Sequence, residues 1–493
     1  MKNRFYAAAA VGSGLFAAEV IASIHIFLTN QWLFKKISVL SSTGYLTLPN
    51  AITAPTLTTL SPAIFGGLFF TFTVGAGLSV ATFFAIWAWG RLFSRSKAIL
   101  TILAIIWVAL VAWIGFNGFS PAALAYTVFI PLIVSAVTIR GIAVENNVPF
   151  GKTFILHALA VFIPALFLIN MMDEGLFSNV RDQILLSNNP GITVSNFYYK
   201  YTLYPAEAFK SLHQKSLKTV YLEDIKNDWL WEKIEGQLRR EDYLLINDVN
   251  ASDLVIEKRN NQLFLKNGKT VIIKIASSAF LAEPHRYLQL FSDRIDKNRG
   301  LRRLTFYGLL AGFPLFLYLL LFTMTAAMFD FFMARHHAAT ASICLCLFTA
   351  LVVLFMLYRS GTNNLTDIEN ALRSPKTAKR AAALRKISID RLEIASFTGY
   401  NPTVERPSIS ERYWLARSMG YSKKPATYPV LLNFLNDSNP IVVCQALRSL
   451  GERKKRSAIV MIVQKLKTTS HWYIQWYAYR SLRNLGWIQK KSI

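Results

Sequence analysis

Acidic residues are scarce in this chain: 28 Asp and Glu stand against 54 Lys and Arg, a formal net charge of +26 over 493 residues. So basic a balance points to an anionic neighbour, with phospholipid head groups, an acidic protein or nucleic acid as the candidates. Cysteine is scarcer still, at three. Cys344 and Cys346 share one apolar stretch and Cys444 stands alone, so neither a disulfide framework nor a thiolate metal spacing is present. A Gly-rich phosphate loop, an H-E-x-x-H pair and a nucleophile elbow are also missing. These absences leave no catalytic residue, metal site, cofactor or small-molecule substrate to nominate, and they lean the reading away from an enzyme. Charge as a whole is low, 17% of residues against 53% hydrophobic, with a mean hydropathy of +0.32. That composition excludes an ordinary soluble protein, while the basic stretches exclude one lying wholly in lipid.

What the chain has instead is long apolar runs. Leu304–Met328 and Ala338–Tyr358 contain no charged residue, and each reaches the roughly 20 residues needed to cross a bilayer. The polar patch Arg335, His336 and His337 separates them, so the pair reads as a membrane hairpin. Five spans precede it, at about 5–28, 62–90, 98–116, 121–139 and 153–172, giving about seven transmembrane helices. The first is read as a retained helix, because the run is long and has no small-x-small cleavage site. Trp32, Trp87, Trp89 and Trp113 fall near span ends, where an amphipathic indole prefers to sit.

Short-loop charge gives the orientation, since Lys and Arg are retained on the cytoplasmic side. Lys2, Arg4, Arg91, Arg95, Lys97, Arg140, Lys152 and Arg335 share one side if the helices alternate. The expectation is therefore a bacterial inner-membrane protein with its N-terminus in the cytoplasm and its soluble parts outside. Lys297, Arg299, Arg302 and Arg303 oppose this assignment and rank below the short loops, because long domains cross largely regardless of charge. The expected organisation is a five-helix membrane block (1–172), a soluble insert (173–303), the hairpin (304–358) and a C-terminal domain (359–493).

Ionisable residues within spans are few, and an intramembrane carboxylate is a candidate site by default. Glu19 and His25 lie on the first helix, and His157 on the fifth. At about 1.5 Å per residue, Glu19 and His157 sit at different depths. Glu19 and His25 are about 240° apart on their helix and share no face. Glu19 is open to two readings, a packing hydrogen bond to a neighbouring helix or a relay for protons or substrate.

The insert reads as a small α+β domain with one sheet. Amphipathic helices are expected over Pro205–Asp228 and Trp229–Glu241, strand-type runs within Asp242–Lys258, and a type I′ hairpin at Asn267-Gly268. The aromatic segment Asn196–Tyr204 suggests an interfacial or docking surface. Without catalytic motifs, the domain reads as a recognition module.

In the tail, which carries 24 Lys and Arg against 8 acids, a repeat appears. Arg385-Lys-Ile-Ser388, Arg417-Ser-Met-Gly420, Arg448-Ser-Leu-Gly451 and Arg483-Asn-Leu-Gly486 recur at intervals of 32, 31 and 35, each closing an apolar helical pattern, so helix pairs are expected. The glycines suit left-handed helix ends. Second helices fall at Ala426–Leu435 and Arg456–Lys467. The units Asp437–Gly451 and Trp472–Gly486 resemble HEAT-type repeats, in particular the short bacterial kind also found in phycobilin lyases. That resemblance covers about the last quarter of the chain and implies a stacked α-solenoid with an extended binding surface but no fixed activity; the membrane block resembles no family. In the last repeat, Trp472, Trp476 and Tyr479 share a face expected to pack on the preceding unit. Tyr473, Tyr477, Arg480 and Arg483 project beside it as a candidate partner-binding patch.

Taken together, these readings favour a mainly α, polytopic membrane protein acting as an anchored scaffold or assembly factor, docking a protein partner through its insert and repeats, with membrane lipids as neighbours. The alternatives are a transporter or channel subunit using Glu19, and a membrane-embedded enzyme acting on a lipid-linked substrate. A nucleic-acid partner ranks last, since it requires a cytoplasmic tail.

Overall fold

The computed structural model describes residues 6–116, 118–144, 151–170, 174–223, 229–359, 367–397 and 407–491. The expected boundary between membrane block and insert, at 172–173, and residues 360–366 at the start of the tail lie outside the described residues. The chain is mainly helical with one small sheet. The apolar runs form α1 (Tyr6–Ser42), α2 (Ser61–Phe70), α3 (Ala76–Arg91), α4 (Lys97–Phe116), α5 (Pro121–Val144) and α6 (Gly151–Asn170). A π-turn at Thr71–Gly75 joins α2 to α3 as one rod. After α7 (Glu174–Val180), α8 (Asn189–Tyr201) and α9 (Leu203–Phe209) comes the sheet unit: β1 (Lys218–Glu223), α10 (Trp229–Arg240), β2 (Tyr243–Leu245), β3 (Leu254–Arg259), β4 (Gln262–Asn267), β5 (Thr270–Ala276), α11 (Ser277–Ala282) and α12 (Pro284–Ile295). The chain then returns through α13 (Arg299–Tyr307), a further π-turn at Gly308–Gly312, α14 (Phe313–Phe329) and α15 (Arg335–Arg359).

Six helices among the described residues are long and apolar enough to cross a membrane: Tyr6–Ser42, Ser61–Arg91, Lys97–Phe116, Pro121–Ile142, Arg299–Phe329 and His337–Tyr358. The apolar stretch of α6, Ile155–Leu168, is shorter. The rod α2–α3 crosses α13–α14 at its glycines. A Cβ on Gly77 would lie 3.1 Å from the Gly308 Cα, and one on Gly308 would strike the Thr73 carbonyl. Gly308 and Gly312 are thus a small-xxx-small pair that brings two backbones together, the device that replaces hydrophobic drive between helices in lipid.

The sheet order is β2-β1-β3-β4-β5, with β1 parallel to β2 and β3, and β3-β4-β5 antiparallel. Leu222, Ile234, Leu254, Ile256, Leu265 and Phe291 build its core between sheet and helices. Residues 205–223 do not form one helix: α9 stops at Phe209 and Lys218–Glu223 is an inner strand, between β2 and β3. Its Thr-Val-Tyr run suits a pleated surface buried between two partners, which outweighs the helical spacing. At the second hairpin Asn267 pairs with Thr270, leaving Gly268-Lys269 as the loop. Positive φ falls on Gly268 alone, at +57°, which is the pattern of a type II′ rather than a type I′ turn.

The tail stacks α16 (Ile368–Leu372), α17 (Thr377–Ile389), α18 (Ile409–Ser418), α19 (Thr427–Asn433), α20 (Pro440–Glu452), α21 (Ile459–Thr468) and α22 (Trp472–Asn484). Asn439 caps α20 by accepting the Ile441 N–H, with Pro440 at the first helical position, where a missing N–H costs nothing. Of the three repeat glycines, Gly486 is left-handed (φ +76°), whereas Gly420 and Gly451 have no positive φ. Their role is close approach. A Cβ on Gly420 would lie 2.9 Å from Ser449 Oγ, and one on Gly451 would lie 3.1 Å from the Ser481 Cα. Gly420 and Gly451 are therefore each seated against a serine of the next repeat.

Candidate functional site

The solenoid does not stand apart from the rest of the chain. Its core admits Leu48 and Leu186, and Trp472 joins the core built on α1 and the α2–α3 rod. Along this seam the loop after α1 grips the turn between α21 and α22. The Asn50 amide donates to the carbonyls of Leu466 (2.8 Å), Lys467 (3.1 Å) and Thr469 (2.9 Å), while its backbone N–H donates to Gln475 Oε1 at 2.9 Å. Gln475 returns the contact through Nε2 to Thr53 Oγ1 (2.8 Å), and Thr53 Oγ1 donates to the Ser470 carbonyl (3.0 Å). Asn50 and Gln475 are both fully or nearly buried, so these bonds form where an unmet polar group would be costly.

A second contact joins α22 to the sheet unit. Asp242 takes a left-handed φ of +62° just after α10, a conformation Asp tolerates better than most residues. It accepts from Tyr479 Oη at 2.6 Å and pairs with Arg483 Nε at 3.0 Å. Burial pushes its carboxyl upward, against the opposing pull of Tyr479, Arg483 and Lys218. At the other end of the solenoid, Trp414 Nε1 donates to Asp182 Oδ2 at 2.7 Å, and the Arg181 guanidinium lies 3.8 Å from the Tyr413 ring. Arg385 bonds Asn179, whose amide reaches the Leu357 carbonyl at the end of α15 (3.1 Å).

The candidate partner patch is placed by this seam. Tyr473 meets Tyr199 edge-on at 4.7 Å and Tyr477 at 5.5 Å; Arg483 pairs with Asp242; Arg480 is exposed, with its guanidinium 4.7 Å from the Trp476 ring. The face of Trp472, Trp476 and Tyr479 is turned from the preceding repeat more than its spacing suggests. Trp472 meets Tyr204 at 4.9 Å and Tyr479 reaches Asp242, while Ser481 makes the bond back to Leu447 O (2.7 Å).

The three intramembrane candidates do not come together. Glu19 accepts from Thr71 Oγ1 (2.7 Å) at the first π-turn and from Ser23 Oγ (3.0 Å). The His25 ring lies 5.1 Å from that of Phe209. His157 bonds Tyr318 and packs edge-on against Phe322.

Sequence reasoning passed over one surface. The turns that follow the first helix of each unit stack on one another: Glu393 accepts the Lys423 N–H (2.8 Å), Arg453 donates to the Lys424 carbonyl (3.2 Å), and Tyr428 Oη meets Ser457 Oγ (3.2 Å). Arg391, Lys423, Lys424, Lys454, Lys455 and Arg456 are exposed along this edge. The signal was the recurrence of basic residues at the repeat period. Asn50, Asp182 and Asn179 carried no local signal, although a Gln at position 475 within an otherwise apolar helix face could have marked a buried polar contact.

The family profile for HEAT repeats matches residues 403–485. The C-terminal region is thus a HEAT-repeat unit, of a kind that suits protein–protein interaction. No curated protein and no solved structure matches the chain.

Proposed function

We propose that this protein is a membrane-anchored scaffold or assembly factor that holds an acidic protein partner beside a bacterial inner membrane. The observation that carries this reading is the basic ridge. Six exposed cations follow the stacked turns of a HEAT solenoid that is locked to the membrane helices by buried polar bonds, so the ridge is held at a set place above the bilayer. An extended charged edge recruits and orients a complementary partner more than it adds raw affinity.

Seven crossings fit the contacts between loops. Asn50 meets the solenoid, a Cβ on Gly118 of the α4–α5 turn would strike Lys297 before α13, and Asn179 meets the end of α15. These segments share one end of the bundle if α6 also crosses. With the short-loop charges, that end is extracytoplasmic and the N-terminus cytoplasmic. In this reading the four-part division at 172, 303 and 358 separates anchor, insert, hairpin and repeats, and Tyr473, Tyr477, Arg480 and Arg483 serve a partner at the exposed rim of the seam, Arg480 foremost.

A photo-cross-linking residue at Lys424 and at Lys455 in living cells tests the proposal. Both positions should yield the same adduct, and the four-residue reversal of Lys423, Lys424, Lys454 and Lys455 to Glu should remove it, while Glu19→Gln leaves it intact. If Glu19→Gln abolishes function and the reversed ridge behaves as wild type, the transporter or channel reading replaces the scaffold.

A further inference from the structure

A cleft of about 310 Å³ opens where α1 leaves the apolar layer, between that helix, the sheet unit and the joint from α12 to α13. Its volume lies at the lower end of the range for ligand sites. Trp32 on α1 forms one wall, and Lys210, Lys215 and Lys297 reach it from the other elements. Its level follows from the helices around it. Trp32 is about four residues beyond the apolar run that ends near Leu28, or roughly 6 Å at helical rise. A Cβ on Gly118, in the turn between α4 and α5, would lie 2.7 Å from the Lys297 Cα, and Phe116 and Phe119 flank that turn with exposed rings. The cleft therefore sits at the height of the head groups, the layer that indoles and aromatic rings prefer.

Its charge is not balanced. Of the two acids in the lining, Asp253 pairs with Lys36, and Asp296 with Arg302 (Nη1 to Oδ1 3.0 Å). Burial would raise the Asp253 carboxyl, but Lys36, Lys215 and the Thr219 N–H outweigh it and hold it below the usual carboxylate range, so it stays an anion committed to Lys36. Lys210 pairs with Glu207. Lys215 and Lys297 have no ion pair among the described residues, and Lys215 Nζ lies 5.4 Å from the Trp32 ring. Two ammonium groups without an ion pair of their own thus face a space beside an interfacial indole.

We propose that this cleft binds a phosphate ester, presented by the head group of an anionic phospholipid, with Lys215 and Lys297 supplying the charge and Trp32 lying against the glycerol region. Lysine suits this task as a compact, rotatable point charge. Occupancy would tie the sheet unit to the bilayer at a point independent of the solenoid and its partner.

The test uses the full chain purified in a neutral detergent, with lipid retention read by native mass spectrometry. Wild type should retain phosphatidylglycerol over phosphatidylcholine. The double variant Lys215→Ala/Lys297→Ala should weaken phosphatidylglycerol binding about 30-fold, at about one order of magnitude or less per lysine. Lys215→Arg/Lys297→Arg should keep it, which shows that a loss in the alanine pair reflects charge rather than misfolding. Lys423→Ala/Lys424→Ala, on the distant ridge, should leave it unchanged. Equal retention of both lipids, or an equal loss in the ridge variant, overturns the site. If glycerol phosphate binds with dependence on Lys215 and Lys297 while phosphatidylglycerol retention does not depend on them, the ligand is a soluble ester and the lipid assignment is wrong.

Discussion

Two places where distant parts of this chain meet are built on opposite plans. At the crossing of α2–α3 with α13–α14, the contact is made by what is missing: Gly77, Gly308 and Gly312 let backbone touch backbone. At the seam between the first loop and the last repeat, contact is made by side-chain amides that catch carbonyls, with Asn50 satisfying three of them. If the apolar helices span a bilayer as proposed, the difference follows from the solvent on each side. Lipid tails are as apolar as the helices, so close packing must supply the attraction. At the seam water competes, apolar burial already favours docking, and the amides decide which surface docks and in which register. Glu19 obeys the same logic within the spans, where both carboxylate oxygens are met by hydroxyls.

The comparison breaks most readily at the crossing. Gly308→Leu should cost more than about 3 kcal/mol, because the new side chain meets the Thr73 backbone and has no flexible neighbour to displace. In detergent this should remove the monodisperse species on size exclusion, whereas Gly115→Ala, whose Cβ meets nothing within 4 Å, should elute as wild type. A normal Gly308→Leu profile would show that the backbones need not touch. The seam should respond less steeply. Asn50→Ala leaves buried carbonyls without their donor and should cost about 2–3 kcal/mol. Limited proteolysis should then release the C-terminal repeats at protease levels that leave wild type whole; unchanged resistance would mean that apolar burial alone holds the seam.

How much of this could be read from the sequence depended on whether the signal was local. The repeats were legible because their period is written in the chain, and the apolar spans because length alone marks them. The Gly268–Lys269 turn lies next to the strands it joins, so the sheet was half visible. Lys218–Glu223 was not, because its strand state depends on β2 and β3 lying on either side. The seam was hidden for the same reason in stronger form: Asn50 and Gln475 are 425 residues apart. The Gly308-Leu-Leu-Ala-Gly312 spacing was local and sufficient to suggest a helix crossing, though not its partner. Gly420 and Gly451 looked like left-handed helix ends because sequence cannot separate a glycine needed for φ from one needed for space.

The smallest effect sharpens the comparison by giving the seam a pH dependence that the glycine crossing lacks. His471 stands at the start of α22, with its N–H donated to Thr469 Oγ1 (3.2 Å) and its carbonyl accepting from Gln475. Its Nδ1 is buried with no hydrogen-bond partner among the described residues. Burial, reinforced by the nearby Lys200 charge, pushes the imidazole down to about 4 from its ordinary 6.5. Between those two values the unfolded chain holds a proton that the folded chain excludes, so stability falls as the pH drops through 6.5 and the loss is complete near 4. Allowing for partial exposure, the full effect is about 2 kcal/mol, and roughly half of it should appear by pH 5.5. Thermal midpoints at pH 7.5 and pH 5.5 should therefore lie further apart for wild type than for His471→Gln, which cannot take the proton. Lys200→Ala should narrow the gap in part. If wild type and His471→Gln shift equally over that window, the acid sensitivity belongs to other groups, and the seam is no more responsive to pH than the crossing beneath it.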